Sequence, residues 1–260
     1  MKHYPLASMR AILAVIVAVI FVLYSGPAPA GPADGRLVLS YNEDGYPPYL
    51  IEEDDRITGI TVEILQQALK RIDFELTITL HPEKRGQELL ERGEVDARGK
   101  AREWVQHPEQ YDWTEPFLEP STIIVSSTRT PIRTPSIQAM QDMSIAAILG
   151  FSYPPLEQAF LQGLIQRVDV HNAQKQLFLT HMGRVDGAVI DDFTAQWLMA
   201  HSKEYTAKDF YIASPAVETV GYRLMFTRQQ DWKPFIKLFD AEIKRMQQDG
   251  SIQMILDKYN

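Results

Sequence analysis

Three cations lie close together in the sequence at Arg98, Lys100 and Arg102, and they stand out in a chain whose formal net charge is −8. Such a cluster suits an anionic group, because the planar fork of an arginine donates two parallel hydrogen bonds to a carboxylate. Asp191 and Asp192 sit where a helix is expected to begin, so one of the two serves as an N-cap. Gly150-Phe151-Ser152-Tyr153-Pro154 follows an expected strand and precedes an expected helix, with Asp186, Asp191 and His201 downstream. That is the setting of a nucleophile elbow. The elbow needs a second glycine where Pro154 stands, which argues against a serine hydrolase. The six histidines, His3, His81, His107, His171, His181 and His201, show no paired ligand spacing, so no metal is expected. No phosphate-binding glycine loop occurs, and no cofactor is expected.

The chain has 260 residues, 45% of them hydrophobic, which is enough for a packed core and too apolar for disorder. Its acidity argues against nucleic acid as a partner. With no cysteine there are no disulfides, no thiolate nucleophile, no Cys-type zinc site and no lipid attached at cysteine. Residues 1–30 read as a secretory signal peptide. Lys2 and Arg10 form the basic start, Ala11 to Tyr24 the apolar run, and Ala28-Pro29-Ala30 the small-residue end. The run is too short for a transmembrane anchor. Cleavage after Ala30 leaves 230 residues with 24 Lys and Arg against 34 Asp and Glu, a net charge of −10. The expected location is a bacterial periplasm.

The rest alternates strand and helix patterns. Leu37 to Leu39 is a strand, and Ile60 to Ile72 carries apolar residues at helical spacing. Residues 74–80 alternate as a strand, Glu83 to Arg92 form a helix stopped by Gly93, and Val95 opens another strand. The second half repeats this, with strands at Ile145–Leu149, Val168–Val170 and Val185–Ile190, and helices at Pro155–Leu164 and Ala173–Met182. This order implies a mainly parallel sheet covered by helices, an α/β fold. A glycine followed closely by Val-Asp occurs at Gly93-Glu94-Val95-Asp96 and again, ninety residues later, at Gly183-Arg184-Val185-Asp186. Two similarly built lobes are expected. Strand-like segments at Ser121–Ser127 and Thr219–Thr227 flank the second lobe, and helices at Trp232–Met246 and Ile252–Tyr259 close the chain. Lobe one is expected over 31–125 and 222–260, and lobe two over 126–221. Trp113 and Phe117 read as core.

At this point the motifs resemble a known family. Tyr46-Pro47-Pro48-Tyr49, then Ile57 to Ile64, then Gly93-Glu94-Val95-Asp96, then Asp112-Trp113-Thr114-Glu115-Pro116-Phe117 look like bacterial extracellular solute-binding proteins of family 3. Gly150 to Tyr153, Gly183 to Asp186, Asp191 and the stretch from Met246 to Tyr259 extend the likeness over nearly all of 36–260. The resemblance implies a type II, Venus-flytrap clamp of two lobes that closes on a small ligand and then docks an ABC permease in the inner membrane. It implies a monomer that binds and does not turn over its ligand. It implies an aromatic stacking residue at Tyr46, an acid for a ligand ammonium at Asp191, and hydroxyl and N–H donors around Phe151, Ser152 and Tyr153. Tyr49 reads with less force as a contact. The hinges are expected near Ile123–Ser126 and Val220–Leu224.

The stretch Ala97 to Glu109 departs from the family, which usually carries Thr-Pro-Glu-Arg there, with an arginine for the ligand carboxylate. Arg98, Lys100 or Arg102 is the expected substitute, Trp104 a second stacking wall, and Glu83 a polar replacement for a frequent aromatic. Two other readings stay open. One is a periplasmic dehydratase of prephenate or arogenate type, with Glu157 or Glu83 as its acid. The other is a ligand sensor with no permease.

Overall fold

The computed structural model describes residues 35–259, apart from Asp44 and Asp55. The expected signal peptide lies outside the described residues. Among these, no helix is long and apolar enough to cross a membrane.

In chain order the first part contains β1 (Arg36–Asn42), β2 (Ile51–Glu53), β3 (Arg56–Thr58), α1 (Ile60–Arg71), β4 (Glu75–His81), α2 (Glu83–Arg92), β5 (Ala97–Ala101) and β6 (Asp112–Trp113). The middle contains β7 (Ser121–Ser127), β8 (Ser144–Ile148), α3 (Pro154–Leu161), β9 (Gln166–Val170), α4 (Ala173–His181), β10 (Gly187–Asp191) and α5 (Asp192–His201). The end contains β11 (Phe210–Ile212), β12 (Glu218–Thr219), β13 (Tyr222–Phe226), α6 (Lys233–Gln248) and α7 (Ser251–Leu256).

Two large sheets result. The first has the order β4-β1-β5-β13-β6, and the second β11-β7-β10-β8-β9 with β12 on β7. In the first, β1 runs parallel to β4 and β5, while β13 lies antiparallel to β5. In the second, β8 runs parallel to β9 and β10, while β7 lies antiparallel to β10. The fold is thus two α/β lobes, each a mixed sheet with a parallel centre flanked by helices.

The Val-Asp signature has the same use in each lobe. The N–H of Val38 in β1 donates to Asp96 Oδ2 at 2.7 Å, and the N–H of Ser144 in β8 donates to Asp186 Oδ2 at 2.7 Å. Each preceding helix is stopped by a left-handed glycine, Gly93 at φ 72° and Gly183 at φ 65°. β5 opens at Ala97 and not at Val95, although the Asp96 backbone already pairs with Val38 and Thr227 at 2.9 and 3.1 Å.

The apolar stripe of α1 is buried at Ile60, Ile64, Leu65, Ala68 and Leu69. The closing helices pack beside it, and Arg71 ties them down through Glu242 at 3.1 Å and Asp249 at 2.8 Å. Trp232, Phe235 and Phe239 join Phe226 in the fully buried aromatic core of lobe one. Phe117 is also buried there.

The crossings differ from the expectation. The whole of β7 pairs with lobe two, from Ser126 opposite Gly187 to Thr122 opposite Asp191, so a boundary at 125/126 would cut a core strand. Ile123–Ser126 is the buried middle of that strand and no hinge. Its density of β-branched residues serves sheet packing. The chain crosses between lobes at Leu118–Pro120 and again at Val220–Gly221. There Val220 N–H donates to Pro120 O at 3.1 Å and Tyr222 N–H to Leu118 O at 2.8 Å. The single strand expected at Thr219–Thr227 is accordingly two, β12 in lobe two and β13 in lobe one.

Candidate ligand-binding cleft

The carboxyl ends of β1, β8 and β10 meet across a cavity of about 210 Å³ between the lobes. Open α/β sheets place ligands at these strand ends. The volume falls below the ~300–1,000 Å³ usual for drug-sized ligands, so it suits a small metabolite.

Aromatic side chains form much of the wall. Tyr46 stacks on Tyr49 at 5.5 Å and meets Phe151 of the other lobe at 5.9 Å. Tyr222 lies 5.7 Å from Tyr49 and 6.3 Å from Trp104. Trp104 Nε1 donates to Glu218 Oε1 at 3.4 Å, which links the lobes at the rim. Burial pushes the phenols of Tyr46, Tyr49 and Tyr222 well above their ordinary value, so they remain protonated donors.

Asp191 ends β10 and caps α5. Its Oδ1 accepts from Thr194 N–H at 2.9 Å, and its Oδ2 accepts from the Tyr49 hydroxyl at 2.7 Å. Both roles weighed for it, cap and cleft residue, fall on one side chain. Burial raises its carboxyl to about 7, against the pull of these two donors. Neighbouring Asp192 faces away and accepts from the N–H of Ser121 at 3.1 Å.

On the opposite wall stand Glu83, Arg98 and Lys100. Arg98 is only 2% exposed. Its Nη2 donates to Glu83 Oε2 at 2.7 Å and its Nη1 to Glu83 Oε1 at 3.2 Å. Lys100 Nζ donates to the same Oε1 at 2.7 Å. Burial alone would raise the Glu83 carboxyl, yet Lys100 and Arg98 hold it at about 2. For Lys100, burial lowers the ammonium while Glu83 opposes the shift.

Of the residues singled out in the sequence, Tyr46, Glu83, Arg98, Lys100, Trp104, Phe151, Ser152, Tyr153 and Asp191 all line this cavity. Arg102 does not. Alternation would align it with Arg98 and Lys100, but β5 ends at Ala101 and Arg102 turns away into a short 3-10 turn. There it lies exposed, 5.8 Å over the ring of Trp113. At the turn before α3 the Phe151 N–H is taken within the turn, while Ser152 and Tyr153 line the cavity. Pro154 and Pro155 carry no N–H, and the N–H groups of Phe151 and Leu156 donate to Ile148 O and Tyr153 O.

Sequence reasoning missed Tyr222 and Gln176. Tyr222 begins β13 and its ring lies against Gly99, where an added Cβ would come within 2.5 Å of the hydroxyl. Gln176 is fully buried, with Nε2 donating to Ala146 O at 3.0 Å and Val189 O at 2.6 Å. A glutamine beside Leu177 on the buried face of α4 was its signal. Among the described residues, no cluster of His, Asp or Glu could hold a metal.

Residues 38–260 match the family described as bacterial extracellular solute-binding proteins, family 3. The chain belongs to this family. A relative in the solute-binding family, the "Probable amino-acid-binding protein YxeM" of Bacillus subtilis (strain 168), is 22% identical over 251 residues, 95% of this chain and 92% of the relative. Among solved structures, a mutant of ArgBP from T. maritima shares the fold with a TM-score of 0.69 at 17% identity, covering 87% of this chain and 96% of that one. A histidine kinase sensor domain similar to periplasmic binding proteins gives a TM-score of 0.71 at 17% identity, covering 86% and 95%. The solute-binding fold is thus carried by more than one kind of protein, and the two-lobed clamp is its shared feature.

Proposed function

We propose that this solute-binding protein captures a small polar ligand, an amino acid or a related amine or organic acid, in the interlobe cleft. One observation carries the reading: a half-buried acid, Asp191, faces an aromatic wall and a cation-bearing wall from the other lobe across a small cavity. The ligand bridges the lobes and so stabilises the closed arrangement, which is the differential affinity that closure requires. The protein is exported to the periplasm by a cleaved signal peptide at residues 1–30, acts as a monomer without turnover, and hands its ligand to an ABC permease. The name of the Bacillus relative supports an amino-acid-like ligand.

A thermal-shift screen of amino acids, amines, small peptides and organic acids tests this. A protein that responds to none of them sinks the reading. A second reading has its own observation, since a carboxyl held at about 7 in a cleft is what a general acid requires. Glu83, held at about 2, cannot protonate a leaving group near neutral pH. Glu157 is absent from the cleft lining. A dehydratase would consume added prephenate over time, and a binding protein leaves it intact.

A further inference from the structure

We propose that Glu83 permanently fills the anion subsite of this cleft, so that the ligand is a small amine whose other end is a neutral hydrogen-bond acceptor and not a carboxylate. The inference rests on the solute-binding reading of the cleft and names its ligand class.

The first support is the geometry of the pair. An arginine recognises a carboxylate with two parallel N–H donors. Both terminal nitrogens of Arg98 are already spent on the two oxygens of Glu83. The rest of the guanidinium is enclosed, with Nε buried and Nη1 also reaching the backbone carbonyl of Glu83 at 3.2 Å. The chain thus supplies its own carboxylate where a ligand's would go.

The second support is that the pair is hard to exchange. Glu83 is the first residue of α2, and Arg98 lies against that helix because Gly86 has no side chain. A Cβ there would stand 3.3 Å from Arg98 Cζ and 2.7 Å from Ser40 Oγ. A ligand carboxylate displacing Glu83 would have to break its hydrogen bonds to both Arg98 and Lys100. One approaching beside it would have to share Arg98 and Lys100 with a carboxylate already paired to both.

The third support comes from lobe two. The turn before α3 has prolines at its first two helical positions, so the helix start itself has few N–H groups for an anion and Ser152 is the polar side chain that the turn brings to the cavity. What the cleft does offer is Asp191 and the faces of tyrosines, which attract a cation. Lys100 spends one donor on Glu83 and keeps others for a hydroxyl or carbonyl oxygen.

Calorimetric titration of the protein produced from the full sequence tests this with matched probes. The sets are L-arginine, L-argininamide and agmatine; L-leucine, L-leucinamide and isopentylamine; L-tyrosine, L-tyrosinamide and tyramine. In at least one set the carboxamide or the amine should bind at least about tenfold more tightly than the acid. Glu83→Gln, which keeps the side-chain shape without the charge, should remove or reverse that preference. Glu83→Ala should do the same, and if it does not melt cooperatively the glutamine variant decides. An acid that binds the wild type as tightly as its amide, or a preference unchanged in Glu83→Gln, overturns the proposal while leaving solute binding in place. No binding of any probe by cooperatively melting wild type and variant also overturns the proposal, and it removes the solute-binding reading as well only if the thermal-shift screen is silent too.

Discussion

The hydroxyl of Tyr49 donates to Asp191 Oδ2 at 2.7 Å, joining two residues that are 142 positions apart and lie in different lobes. The bond joins the two lobes across the cleft, so it favours their approach. Tyr49→Phe should lower the thermal midpoint of the unliganded protein and widen its radius of gyration in small-angle scattering. A hydrogen bond to a carboxylate contributes about 1.5–3 kcal/mol, and this one is partly buried. An unchanged radius with an unchanged midpoint would show that the bond does not hold the lobes.

Asp191 should anchor an ammonium. Asp191→Ala should weaken an amine ligand by about 2 kcal/mol or more, roughly thirtyfold, in calorimetric titration. Unchanged affinity would remove Asp191 from the site.

Asp191 also sets a pH dependence. Its carboxyl is raised to about 7 in the folded protein, above its unfolded value of 3.8. The folded state therefore binds the proton more tightly, and the stability this contributes is present at low pH and lost as pH rises from about 4 to about 7. Affinity for an ammonium runs the other way. It should fall up to about tenfold per pH unit below about 7, because the proton and the ligand compete for the carboxylate. Titrations at pH 6 and 8 check this, and Asp191→Asn should flatten the profile.

Asp96 and Asp186 should matter for stability and not for ligand. Each accepts a strand N–H at 2.7 Å, and Asp96 also accepts from Gln230 at 3.0 Å. Asp96→Ala should cost about 1–3 kcal/mol in denaturant unfolding, more than Asp186→Ala, whose bonds are exposed. Equal costs would show that the burial of Asp96 adds nothing.

Gly99→Ala should reduce affinity for any ligand of the cleft by about tenfold or more. Its Cβ would meet the Tyr222 ring at 2.5–3.0 Å, and Tyr222 would have to leave the wall. A crystal structure of the variant with Tyr222 unmoved would refute this.

Much of the fold is legible in the sequence, because burial periodicity and helix stops are local. The spacing of Ile60, Ile64, Leu65, Ala68 and Leu69 announces α1, and Gly93 marks where α2 ends. The lobe boundary is less legible. The β-branched run Thr122 to Val125 shows a strand without saying which sheet it joins. For the cleft, the residue types of the motifs lead to the lining, yet their pairing is hidden. Glu83 and Arg98 sit fifteen residues apart and meet only when α2 docks on the sheet. Tyr222 reads as ordinary strand alternation because periodicity reports which face is buried and not which strand end opens onto a cavity. Arg102 fails for the same reason in reverse, since alternation continues on paper after the strand has ended.

The two crossing segments are hydrogen-bonded to each other, Val220 to Pro120 and Tyr222 to Leu118. Such a doubled strap resists sliding, splaying and twist but yields to bending. Opening and shutting should then follow one axis, with a single angular coordinate describing the whole excursion. One pair of spectroscopic labels, one on each lobe, would be enough to follow it, and the chain has no native cysteine to compete with them.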